Sequence, residues 1–284
     1  MNRVIRLKEW GCNLETVKQP NHKQFISATS DLEDKPYILN TDINGFIINS
    51  LLDDRELRKK TIVLLGDSFV ESIFVDEDKR INAVIEEMMP DFKVLNGGYS
   101  GATSLHLVNI IVNKVIPLNP DYIVFFTPTN DQRVQTVDNG YWNKDFRLSP
   151  MVPLSKNDSL IDDYTESSHL KSVTTILRLI HSILQVYDIP HCYVTTPHRY
   201  ILSTDDEWIK KNNINTISYS KKILLREKVN DVCKIISKEL SINCIDLEKA
   251  LKDRSEYFYD DLHLTNSSSP LVAKIILNSL KSYI

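Results

Sequence analysis

The chain has 284 residues, long enough to bury a sizeable core, and its 42% hydrophobic and 25% charged content is that of an ordinary globular protein. A formal net charge of -4, with Lys and Arg scattered along the chain, excludes the basic stripe that nucleic-acid binding needs and leaves no basic amphipathic helix for a membrane surface. No apolar run reaches membrane-spanning length and residues 1–8 lack the continuous apolar stretch of a signal peptide, so a cytoplasmic protein without stable membrane insertion is expected.

Residues 1–60 hold no long periodic segment. Residues 37–48 read as two short strands about the Asn44-Gly45 turn. We therefore expect residues 1–60 to be an extension packed on the core of a single domain spanning 1–284. From Thr61 the pattern becomes strand, then helix, repeated. Residues 62–65 form an apolar strand, followed by Ile81, Val84, Ile85, Met88 and Met89 at helical spacing, closed by Pro90. Residues 92–95 give strand two, and Leu105, Val108, Ile111, Val112, Val115 and Ile116 give a second helix ending at Pro117. Strand three is residues 122–126.

Residues 134–170 break the rhythm. They carry Tyr141, Trp142, Pro150, Pro153 and Tyr164, and a loop of this length in a compact domain is characteristically functional or disordered. Helix returns over residues 171–186, strand four over 192–196, an irregular stretch over 197–219, a long helix to Leu240 and strand five over 242–247. Ser269 as N-cap and Pro270 open the last helix. Strands spaced by helices imply right-handed crossovers and an α/β three-layer sandwich, a parallel sheet with helices on both faces.

Four widely spaced cysteines (Cys12, Cys192, Cys233, Cys244) form no CxxC pair and read as buried free thiols. There is no HExxH, no tight Cys/His cluster, no GxGxxG and no P-loop, so neither a metal nor a cofactor is expected.

Four short stretches sit at strand-to-helix junctions. Gly66-Asp67-Ser68-Phe69 ends strand one, and Asn96-Gly97-Gly98-Tyr99-Ser100-Gly101-Ala102-Thr103 follows strand two. Thr127-Pro128-Thr129-Asn130-Asp131 ends strand three, and Tyr259-Asp260-Asp261-Leu262-His263 precedes the last helix. Acyl transfer needs a nucleophile, a base titrating near neutral pH, a group that fixes the base, and donors for an oxyanion. A serine, a glycine-rich turn, an asparagine amide and an Asp-x-x-His could supply those parts. Each stretch taken alone also fits ordinary turn or capping chemistry.

Together, in this order and spacing, they resemble the SGNH (GDSL-type) hydrolase superfamily over residues 61–284. The resemblance implies a five-stranded parallel sheet of flavodoxin-like order. It implies a Ser68-His263-Asp260 triad, with an oxyanion hole from the Ser68 and Gly101 N–H groups and the Asn130 amide. Pro128 departs from the family pattern, taking the place of a glycine. Tyr99, Arg133, Trp142 and His198 are candidate substrate contacts. Aromatic faces beside a cation suit a sugar, including an acidic one, and the expected substrate is a small-molecule or glycan ester of a small acyl group such as acetyl. The readings left open beside this esterase are an O-acyltransferase, a lipase or thioesterase for longer chains, and a catalytically silent α/β binding protein.

Overall fold

Alternation decides how the central strand is used. In β5 (Lys60–Gly66), Ile62 and Leu64 point to one face and Val63 and Leu65 to the other, and all four are fully buried. Ile62 and Leu64 pack with Ile81, Val84 and Ile85 of α3 (Ile81–Met88) and with Val272 and Ile276 of α10 (Ser269–Leu280). Val63 and Leu65 pack with Leu107 and Ile110 of α4 (Ser104–Ile110), Val173 and Leu177 of α6 (Ser168–Val186), and Val229 and Cys233 of α8 (Thr216–Glu239). Each such side chain contributes roughly 1.5–3 kcal/mol relative to exposure. Helices on both faces explain why the strand is apolar throughout.

The computed structural model describes residues 4–52, 55–137, 139–145, 148–152, 168–200 and 206–284. The other strands are β1 (Val4–Ile5), β2 (Glu15–Lys18), β3 (Tyr37–Thr41), β4 (Ile47–Ile48), β6 (Phe92–Gly98), β7 (Tyr122–Phe126), β8 (Met151–Val152), β9 (His191–Val194) and β10 (Asn243–Ile245). Short helices α1 (His22–Ser27), α2 (Ser68–Glu71), α5 (Asp131–Val134), α7 (Glu207–Asn212) and α9 (Leu247–Ala250) fill the connections. The parallel strands run in the spatial order β6-β5-β7-β9-β10, which is the flavodoxin-like order.

Three further strands extend that sheet. The order β2-β3-β4 continues antiparallel from the β6 edge, joined through Ile47 opposite Asn96. The hairpin turns at Gly45, whose φ of +72° and closeness to the Trp10 carbonyl (2.3 Å from a modest added Cβ) exclude a side chain. Tyr37, Leu39 and Thr41 are buried and alternate with less buried neighbours, which announces a half-buried strand but not the edge on which it docks. A separate two-stranded ladder pairs β1 with β8, placing Val4 opposite Val152. That ladder fastens the start of the chain to the 134–170 segment, of which residues 153–167, with Pro153 and Tyr164, lie outside the described residues.

Four details differ from expectation. The second helix passes through Pro117, because a π turn (Ile111–Val115) leads into a 3-10 turn (Ile116–Leu118) that holds the proline where no N–H is needed. The last helix is capped by Ser268, not Ser269. Ser268 spends its hydroxyl on the Tyr257 carbonyl (2.6 Å), and Ser269 enters the first turn with Pro270. Within 197–219, α7 and the start of α8 are helical. Cys12 is exposed and Cys244 half-buried, so of the four free thiols only Cys192 and Cys233 are buried as expected. Among the described residues no helix is long and apolar enough to cross a membrane.

Candidate active site

β5 delivers Gly66, Asp67 and Ser68 to its carboxyl end. Asp67 caps α2 by accepting from the Phe69 N–H (3.1 Å), which places Ser68 on the first turn facing outward from the sheet edge. Ser68 Oγ lies 2.8 Å from His263 Nε2, although 195 residues separate them. His263 Nδ1 lies 2.7 Å from Asp260 Oδ2. The other Asp260 oxygen accepts from the Leu262 (2.8 Å) and His263 (2.7 Å) backbone N–H groups, so carboxylate and imidazole are fixed within one turn. The Tyr259 ring stacks on the imidazole at 5.6 Å and 17°, holding its plane.

Burial alone would lower the His263 pKa, but Asp260, with Asp261 behind it, outweighs burial and pushes it up to about 9. Asp261 is itself a partly buried hub. Burial would raise its carboxyl, yet Arg226 (2.7 Å) and Lys222 hold it well below the ordinary carboxylate range. Glu71, at the end of α2, is buried and bonded to the Ser100 hydroxyl; burial pushes its carboxyl up to about 7.

The glycine-rich turn after β6 is welded to α2. Asn96 Nδ2 donates to the Val70 carbonyl (2.8 Å) and to Asn82 Oδ1 (3.1 Å), while Asn96 Oδ1 accepts from the Gly98 N–H (2.8 Å). A Cβ on Gly98 would sit 2.3 Å from the Glu71 backbone nitrogen, so only glycine lets the two segments approach this closely. Gly101 follows at φ +75°. Its carbonyl accepts from Lys8 Nζ (2.5 Å), and Lys8 is buried; burial, helped by Arg6, lowers the ammonium to about 8.

The turn after β7 is held by the second Asp67 oxygen. It accepts from the Thr129 N–H (2.8 Å), the Thr129 hydroxyl (2.6 Å) and the Asn130 side-chain amide (3.0 Å). An amide has two N–H donors, so one is spent on orientation and the other can serve a ligand. Pro128 is compatible with this turn because the turn uses its carbonyl, which accepts from the Asp131 N–H (3.1 Å), and not the N–H that proline lacks. Asp131 turns inward and accepts from the Ser104 N–H (2.9 Å) and hydroxyl at the start of α4; burial pushes it up to about 7.

Two spaces meet at Ser68. A small chamber of about 110 Å³ is lined by Gln24 and Ser27 of α1 together with Phe74, Ser100 and Tyr259. A wider cleft of about 600 Å³ runs the other way past Asn130 and is edged by Arg133, Lys221, Lys222 and Arg226. Arg133 thus reaches the cleft. Tyr99 instead packs its ring on Trp10 at 5.6 Å, and Trp142 stands half exposed, edge-on to Tyr141. His198 lines a different cavity. It follows β9, two strands from β5, and at about 4.8 Å per strand that displacement carries it away from Ser68.

Several residues here carry no local sequence signal. Lys8, Gln24 and Ser27 come from the aperiodic first sixty residues, and Lys221, Lys222 and Arg226 look like an exposed helix face until α8 is placed. The 1–60 segment therefore contributes both to the Gly101 turn and to the chamber wall.

The strand order, with the serine at the end of the first parallel strand and the Asp-x-x-His before the last helix, is that of the SGNH (GDSL-type) hydrolase fold. Solved structures share this fold. An acetylxylan esterase from Geobacillus stearothermophilus does so with a TM-score of 0.53 and 14% identity, covering 78% of this chain and 94% of its own. A lipase/acylhydrolase from Enterococcus faecalis gives 0.52 and 18%, covering 79% and 96%. A putative lipolytic protein of the G-D-S-L family from Desulfitobacterium hafniense DCB-2 gives 0.51 and 12%, covering 78% and 99%. No family model and no curated protein sequence matches the chain.

Proposed function

We propose that the protein is a serine esterase that removes a small acyl group, acetyl in the first instance, from a polar and preferably anionic scaffold such as an acidic sugar. The observation that carries this reading is the continuous Ser68–His263–Asp260 hydrogen-bond chain at 2.8 and 2.7 Å. Neutral His263 accepts the Ser68 proton through Nε2 as Oγ attacks the ester carbonyl, and Asp260 stabilises the imidazolium that forms. The Ser68 and Gly101 N–H groups and the free Asn130 amide hydrogen hold the oxyanion. His263 then protonates the departing alcohol, and water, activated by the same imidazole, releases the acyl group from the serine.

Two features support the substrate class. The chamber of about 110 Å³ beside Ser68 is the smaller of the two spaces and suits a short acyl group such as acetyl. The cationic edge of the wider cleft favours an anionic leaving group. The likeness to an acetylxylan esterase agrees in direction.

Labelling with a fluorophosphonate, read by mass spectrometry, should modify Ser68 in the wild type and leave Ser68→Ala unmodified. Absence of labelling would reduce the chain to a binding protein. Acetyl and octanoyl p-nitrophenyl esters compared side by side should favour acetyl, and faster octanoyl turnover would overturn the acyl assignment. Acetylated uronic and neutral sugars, with the product assayed for transfer as well as hydrolysis, then separate esterase from acyltransferase.

A further inference from the structure

The cavity of about 450 Å³ that takes His198 away from Ser68 has chemistry of its own. His198 is 4% exposed, and both its ring nitrogens are buried without a hydrogen-bond partner among the described residues. A neutral imidazole carries one donor and one acceptor, and leaving either unmet in the interior costs stability. Glu248 of α9 brings a carboxylate whose Oε2 is reached by Lys234 at 3.4 Å, although Lys234 sits closer to Asp231 (2.8 Å). Glu227 of α8 brings a second carboxylate, and ligand atoms of His198, Glu227 and Glu248 lie within 4.8 Å of one another.

We infer that His198, Glu227 and Glu248 form a binding site for a divalent transition-metal ion of the zinc type. An imidazole with two carboxylates selects such an ion over magnesium or calcium, which favour all-oxygen shells. Tetrahedral coordination at bonds of about 2.0–2.1 Å asks its ligands to stand roughly 3.3 Å apart, so the carboxylates close in by an ångström or so around the ion. The ion would take up one of the two unpartnered His198 nitrogens and would tie together three elements: the loop after β9, α8 and α9. Lys234, Lys249 and Lys252 line the same cavity, and the charge of the two ligating carboxylates together with Asp231 and Asp246 offsets them. His198 is also the neighbour of Arg199, whose N–H holds the Asp261 carbonyl (3.0 Å), so the ion would brace the turn that carries Asp260 and His263 from behind.

The test is zinc binding to the full, untagged chain after chelator treatment, by calorimetry and by elemental analysis of dialysed protein. The wild type should take up one zinc ion per chain, and its melting temperature should rise with zinc. Glu248→Gln, an isosteric change, should weaken binding by roughly tenfold or more and abolish the melting shift. His198→Gln should do the same, while Glu248→Gln keeps the rate of Ser68 labelling without added metal. If His198→Gln fails to fold, Glu248→Gln decides. The inference is overturned if the wild type shows no saturable zinc binding. It is equally overturned if Glu248→Gln binds as the wild type does, or if binding disappears only in His263→Ala, which would place the metal on the triad.

Discussion

A histidine whose pKa stands at about 9 is mostly protonated at neutral pH, and the proton must leave before Nε2 can accept one from Ser68. The acylation rate should therefore climb with pH, reach half its maximum near 9 and level off above it, as read from kcat/KM for an acetyl ester. Asp260→Asn removes the largest opposing charge, so the limb should move toward the ordinary value of about 6.5 while turnover falls sharply. A flat profile between neutral pH and 9 would show that the His263 pKa is not raised by Asp260. The same shift has a stability consequence of definite sign. Because the folded value lies above the unfolded one, the Asp260–His263 pair contributes fully below about pH 6.5 and is lost as pH rises through about 9. The melting-temperature difference between wild type and His263→Ala should shrink across that interval.

Asn130 separates positioning from catalysis at the level of one amide. Asn130→Ala should lower kcat by about 10²- to 10³-fold. It should cost little stability, because Asp67 retains both donors of Thr129. An unchanged kcat would remove Asn130 from the oxyanion hole. At this scale the sequence was informative wherever a role is carried by a short contiguous pattern. Asp67-Ser68, Asn130 and Asp260-x-x-His263 are local patterns, and the structure brings them to one place. Lys8 on the Gly101 carbonyl and Tyr259 against the His263 ring are contacts whose meaning exists only after folding, and no spacing rule reports them.

Among the elements, the join between β6 and α2 is the least forgiving. Gly98→Ala would force a Cβ against the Glu71 backbone, and backbone cannot rotate away as a side chain can. Overpacking of this kind costs about 1–3 kcal/mol. We expect a lower melting temperature together with slower fluorophosphonate labelling, since the displaced helix carries Ser68. Full labelling at the wild-type rate would mean that α2 yields without moving its serine. Strands and long helices were readable because burial on both faces or on one stripe imprints a period. The four-residue helices α2 and α5 are too short to show one, and the docking of β4 on β6 rests on one pairing, Ile47 with Asn96. Exposed charges on α8 read as solvated until the cleft gives them a direction.

Across the molecule, the parallel sheet decides where chemistry is possible. β6 and β7 flank β5, the connecting helix α3 packs on one face and α4 on the other, and a crevice opens at the carboxyl ends between them. Ser68, the Gly101 turn and Asn130 are the residues those three strands deliver to it. Arg133 and Lys221 edge the cleft beside the Lys222 and Arg226 pairs with Asp261. For acetylated acidic sugars, kcat/KM should fall as ionic strength rises, since screening shortens to about 10 Å at 0.1 M. For acetylated neutral sugars it should stay nearly constant. Equal salt dependence for both would detach Lys221, Lys222 and Arg226 from substrate recognition.

Helix α1 contributes no buried residue, yet Gln24 and Ser27 wall the acyl chamber. It is held at its rim by Lys211 on the Ala28 carbonyl (2.6 Å) and Asn212 on the Ser27 carbonyl (2.8 Å) rather than by core packing. On the proposed acyl reading of this chamber, the determinant of chain length is uncoupled from what keeps the protein folded. Selection could retune acyl preference through this six-residue helix while the sheet and triad stay unchanged, and laboratory evolution could take the same route: Gln24→Ala should raise the octanoyl-to-acetyl ratio at nearly constant melting temperature.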